Sequence, residues 1–201
     1  MAAASRSSLF QEAAWAMGGT WRLLLGRPEA RAFFDFSQRG LAGSFIPLVI
    51  ATVVLVGFIG AGSAGQTGIS AAMQIFILGA IATLRFSALR IVLPRLDALH
   101  AFRPYMVASN WASAILFAAM MAVTFGGVFV AALILGPASG SALVEMVLAL
   151  WGAVGFALLV IEINILRIVA RLGAAEIVLA LAAQLFTILA GLYLIGQIFQ
   201  G

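Results

Sequence analysis

Five long apolar stretches, separated by connections of two kinds, constrain this chain more than any other feature. They run at about 41–61, 70–93, 105–135, 142–168 and 174–198. Each reaches the roughly 20 residues that a helix needs to cross the hydrocarbon core of a bilayer. Backbone polar groups in lipid must be satisfied inside their own segment, so stretches of this kind fold as helices. The chain therefore reads as all-α: a polytopic membrane helical bundle of five transmembrane helices occupying residues 41–201, preceded by cytoplasmic amphipathic helices over residues 1–40. Composition agrees, since 64% of residues are hydrophobic and 9% charged, against about 45–50% and 25% in soluble domains.

The connections give the orientation. "GAGSAGQTG" after the first span and "GPASGS" after the third are uncharged, whereas "PRLDALHAFRP" after the second and "RIVARLG" after the fourth carry arginines. Arg6, Arg22, Arg27, Arg31 and Arg39 precede the first span, Arg85, Arg90, Arg95 and Arg103 lie in or near the second connection, and Arg167 and Arg171 flank the fourth. All fall on one side, which the positive-inside rule makes cytoplasmic. The N-terminus is then inside and the C-terminus periplasmic, and the alternation requires an odd number of spans. Arginine without lysine suggests a GC-rich bacterial genome, hence an inner membrane. Glu12 and Arg22 interrupt the apolar run that a secretory signal would need, so the N-terminal segment is expected to stay on the mature chain.

That segment has a pattern of its own. Phe10, Ala14, Met17, Trp21 and Leu24 recur at helical spacing, with Gln11, Glu12 and Arg22 on the other face, and Ser8 with Gln11 fits a capping box. Two placements fit: a helix lying in the inner leaflet interface, or one packed on the cytoplasmic ends of the bundle. Gly18 and Gly19 weaken the helix in either. Pro28 suits the first turn of a second short helix, "PEARAFFDF". Arg22, Arg27, Arg31, Arg39, Arg95 and Arg103 are candidates for contacts with lipid headgroups or a partner. Within the membrane, Pro47 should kink the first span. The third segment is too long for a straight crossing, so it tilts or begins in the headgroup zone, where Tyr105 and Trp111 would sit.

Charged residues inside spans usually face the bundle interior and pair. Glu162 lies five residues before Arg167, roughly 8 Å from the inner surface at 1.5 Å per residue. Arg167 is not its natural partner, because i,i+5 spacing points the two side chains apart. Arg85 reaches a comparable depth from the second span, so the pattern predicts a Glu162–Arg85 pair with Asn110 as third member and Asn164 completing a polar layer. Such a layer is either a strut fixing helix register or part of a path for ions or a polar substrate. Arg85 could instead snorkel to the headgroups, as Arg90 is expected to do. Glu145 near the outer helix N-terminus is accommodated by water. Gln184 and Gln74 are expected to make interhelical hydrogen bonds, and Gly57 with Ala61 and Gly152 with Gly155 to permit close helix packing.

Catalytic chemistry is thinly represented. Cysteine is absent and His100, the one histidine, falls in a cytoplasmic loop, so no intramembrane Ser–His dyad or multi-histidine metal site is encoded. "GSAG" at 62–65 and "PASG" at 137–140 lack a histidine partner. Asp35 and Asp97 lie outside the spans, no phosphate-binding glycine loop is present, and no internal repeat suggests two inverted halves. No metal, cofactor or nucleic-acid partner is expected.

The entry segment "LLLGRPEARAFFDFSQRGLAGSFIPLVIA", followed by five spans with the N-terminus inside, resembles small bacterial membrane proteins of the Yip1-like type; the aspartate-tyrosine-glycine-proline pattern of the eukaryotic family is missing here. The resemblance implies a non-enzymatic five-helix protein acting through partners or lipids. The expected function is that of a non-catalytic scaffold or accessory subunit with membrane lipids and a membrane protein or a second copy as partners. The alternative is a small oligomeric transporter or channel with a polar layer around Glu162.

Overall fold

Ser8 opens the first helix as its spacing predicts: its hydroxyl accepts from the Gln11 backbone at 3.3 Å and the Gln11 side chain accepts from the Ser8 backbone at 3.0 Å. In the computed structural model, which describes residues 8–62, 71–135 and 140–200, this helix is α1, Leu9–Leu24. A 3₁₀ turn follows at Pro28–Phe33 with the proline in its first turn. The long helices are α2 (Gln38–Gly62), α3 (Ala71–Val92), α4 (Phe102–Leu135), α5 (Gly140–Asn164) and α6 (Ala174–Gln200). Two short 3₁₀ turns join α3 to α4, and a π turn, Ile165–Val169, ends α5. There is no strand among the described residues.

Five segments are long and apolar enough to cross a membrane: Gln38–Gly57, Ala72–Leu96, Leu99–Gly127, Val144–Val169 and Ala174–Gln197. Their number is the one expected, and the third, Leu99–Gly127, starts six residues before and ends eight before the expected 105–135. Helix α2 runs on through Pro47 without ending. Arg6, the "GSAG" segment, most of both uncharged connections and the side chain of Ala61 lie outside the described residues.

Helix α4 is the centre of the bundle. Half of its spanning window is buried, against 6–17% in the other four, and it packs against α1, α2 and α5 while α3 pairs with α6. Its 34 residues amount to about 51 Å of helix, well over a hydrocarbon core of about 30 Å. Large apolar side chains such as Val49, Phe76, Phe156 and Phe186 point outward, an exposure that suits a surface solvated by lipid.

Two expectations about close packing change. Beside Gly57, Gly152 and Gly155 there is only open space, whereas a Cβ on Gly191 of α6 would run into the Leu84 side chain of α3. The close helix approach is therefore between α3 and α6. At α1, Gly18 and Gly19 do not weaken the helix so much as make room beside it, for a Cβ at Gly19 would lie 2.7 Å from the Phe34 ring. Helix α1 lies on the bundle through Ala16, Gly19, Thr20 and Leu23, while Phe10, Met17 and Trp21 of the expected apolar stripe point away and stay exposed. The packed placement is thus the observed one, and the helix turns its small residues inward because small side chains allow close backbone approach.

Candidate functional site

Glu162 and Arg85 meet. Arg85 Nη2 donates to Glu162 Oε2 in a salt bridge, joining α5 to α3 as the spacing from Pro94 and Arg167 predicts. Snorkelling of Arg85 is thereby replaced by internal pairing. Arg90, one turn and a half further along α3, is exposed and holds its guanidinium 5.6 Å from the centre of the Phe102 ring.

The remaining members of the layer are not the expected ones. Tyr105 of α4 donates its hydroxyl to Glu162 Oε1, and Gln184 of α6 donates its amide to the same oxygen at 3.3 Å. Arg85 Nε in turn donates to the Tyr105 hydroxyl and to Gln184 Oε1, each at 3.0 Å. Four side chains on four helices therefore close one network. Positive and negative charge balance within it, and both carboxylate oxygens are occupied. A buried ion pair is sustained when hydrogen bonds satisfy its remaining sites, and the tyrosine and glutamine provide them.

Asn110 lies outside this network. Its amide donates to Ser44 of α2 at 3.1 Å, because five residues along a helix from Tyr105 is about 140° around it; a side chain there faces α2 when Tyr105 faces α5. Asn164, two residues after Glu162, is likewise rotated away and donates to the Leu23 carbonyl of α1 at 2.8 Å. Arg167, already discounted as a partner of Glu162, donates to the Gly26 carbonyl at 3.2 Å. The π turn that follows α5, closed by the Ala170 backbone on Ile165 at 3.0 Å, buries Ile165, Leu166 and Val169 in the core.

Tyr105 and Trp111 do not form an aromatic belt, being buried at 0% and 6% exposure. A tyrosine near the end of a span suits an interfacial anchor, but α4 is surrounded by protein at that level. One signal was available: Ser109 follows Tyr105 by four residues and Ser113 by eight, a polar stripe on one helix face. Gln184 bonds between helices as its position predicts, and α6 brings it beside Glu162.

The chain matches no family model, no curated protein and no solved structure.

A cavity of about 440 Å³ opens on the network between α3, α4, α5 and α6, with Ile81, Leu158, Leu185 and Ile188 among its apolar walls. A second cavity of about 440 Å³ lies under α1, walled by Trp15, Phe33, Phe34 and Trp111 with Glu12 and Asp35 at its edge. Its acids are already engaged: Asp35 accepts from the Ser37 backbone and hydroxyl at 2.9 Å each, and Glu12 faces Arg39 at 4.0 Å. The outlying arginines divide similarly. Arg22 is held over the Phe33 ring at 4.1 Å and donates to the Gly18 carbonyl at 3.1 Å, and Arg31 lies 5.9 Å from the centre of Phe36. Arg27, Arg95 and Arg103 are exposed, as is most of the Arg39 side chain, at 62%.

Proposed function

We propose that this integral membrane protein is a non-catalytic scaffold or accessory subunit of a bacterial inner membrane, with its N-terminus cytoplasmic and its C-terminus periplasmic. One observation carries the proposal: both oxygens of Glu162 are taken up by residues from three other helices. A carboxylate so engaged acts as a fastener holding α3, α4, α5 and α6 in register. The Yip1-like entry segment and the single-sided arginines point the same way. The exposed Arg27, Arg95 and Arg103, with Arg39, are the contacts offered to anionic headgroups, each worth on the order of 1 kcal/mol near a charged surface, or to a partner.

The second reading, a small oligomeric transporter or channel, is favoured by the cavity that reaches the same network. Glu162→Gln separates the two. Under the scaffold reading the variant loses assembly and stability together; intact assembly with lost solute flux in proteoliposomes would replace it with the transport reading. Native mass spectrometry of protein released gently from its membrane adds the partner, and a hetero-complex is the expected result.

A further inference from the structure

We propose that the cavity beside the Arg85–Glu162 network is a binding site for one glycerolipid, with an acyl chain in the cavity and an ester carbonyl accepting from Arg85 Nη1. The proposal rests on the scaffold reading only in treating the network as a fixed wall of the site.

Three observations converge on this occupant. The first is a donor without a protein acceptor. Arg85 spends Nε on Tyr105 and Gln184 and Nη2 on Glu162, but Nη1 makes no hydrogen bond among the described residues. The side chain keeps 26% exposure and lines the cavity. A guanidinium N–H left unsatisfied in hydrocarbon is costly, so an occupant that brings an oxygen there is favoured.

The second is the polarity of the cavity along the helices. Arg85, Glu162 and Gln184 stand at the arginine-bearing end, while Ile81, Leu158 and Ile188 lie four residues further into the bilayer on their respective helices, about 6 Å at the helical rise. A lipid of the arginine-side leaflet has the same sense, polar linkage outermost and chain toward the midplane.

Depth and charge supply the third. Glu162 is five residues from Arg167, roughly 8 Å of helix. Headgroup zones are about 5–8 Å thick on each side of the hydrocarbon core, so counted from Arg167 the network lies one headgroup thickness into the bilayer, near the level of the ester linkages. Glu162 already balances the charge of Arg85, so the open donor suits an uncharged carbonyl better than a phosphate. The walls on the chain side are aliphatic apart from Ser109 and Ser113 of α4, and suit a hydrocarbon.

The test reconstitutes the full chain in nanodiscs of phosphatidylglycerol with ester-linked chains or with ether-linked chains of equal length, the ether lipid lacking the carbonyl. Native mass spectrometry after mild delipidation then counts retained lipid. The expected result is one ester lipid per chain, with retention of the ether lipid lower by about tenfold, the loss of a single hydrogen bond to a charged donor. A plugged variant, Leu185→Trp, changes an exposed cavity residue outside the network and is expected to lose the retained lipid at unchanged helicity and elution volume. Equal retention of the two lipids overturns the proposal, as does retention by a folded Leu185→Trp chain or displacement of the ester lipid by an equimolar isoprenoid quinone. The ester–ether comparison uses the unaltered protein and holds whether or not the variant folds. Failure to find a partner complex while the ester lipid is retained would sink the scaffold reading and leave this inference standing.

Discussion

At the scale of single residues, the polar network sorts the buried polar side chains by what their loss leaves behind. Glu162→Gln strands the Arg85 charge among apolar helices, and breaking one partner of a buried pair costs about 3–5 kcal/mol. Tyr105→Phe removes the hydrogen bond donated to a charged acceptor, about 1.5–3 kcal/mol, and the one accepted from Arg85 Nε, which keeps Gln184 as acceptor. Asn110→Ala removes a neutral interhelical bond to Ser44, for which about 0.6 kcal/mol is typical in membranes. Midpoints of detergent-driven unfolding, followed by circular dichroism, should fall in that order; an Asn110 variant as damaging as the Glu162 variant would contradict the assignment of Asn110 outside the network. Glu162 and Arg85 were legible as partners because depth can be counted from the ends of a span. Tyr105 and Gln184 were not, since depth is set by sequence spacing but facing direction is set by neighbouring helices that spacing does not name. The same limit misplaced Asn110, whose side chain turns to Ser44 of α2.

At the scale of elements, α1 and the α3–α6 pair show how small residues work. The one-sided arginines and the apolar runs made the number and extent of the helices plain. Which glycines lie at contacts was hidden, because glycine on a lipid-facing surface and glycine at a helix crossing look alike in a sequence rich in both. Gly191→Leu should destabilise the bundle by about 1–3 kcal/mol through overpacking, whereas Gly152→Leu, into open space, should stay within about 0.5 kcal/mol. Thermal unfolding of the two variants in the same lipid checks this, and equal effects would refute the α3–α6 crossing. Gly19→Leu should free α1 from the Phe33–Phe34 platform, seen as faster hydrogen exchange over residues 9–24 with the spans unchanged. The outward stripe of α1 is expected to meet the headgroup–acyl boundary. With Trp15, Trp111 and Trp151 replaced by phenylalanine, the emission of Trp21 should be quenched more strongly by lipids brominated near the headgroup than by those brominated at the chain end; the reverse order would place the stripe elsewhere.

For the whole molecule, the long-range contacts have a consequence for how the chain is made. Arg85 is separated from Glu162 by 77 residues and from Gln184 by 99. At about 5–20 residues per second, α3 emerges roughly 4–15 s before α5 can neutralise its arginine, and later still α6 arrives beside it. During that interval the second span holds a charge in the membrane with no counter-charge of its own. A nascent chain stopped before α5 thus displays an orphan cation at a fixed depth, a mark by which a membrane protease or insertase could tell unfinished chains from finished ones. Pulse-chase of a chain truncated in the 136–139 connection should show rapid loss, and replacing Arg85 by leucine in that truncated chain should prolong its life.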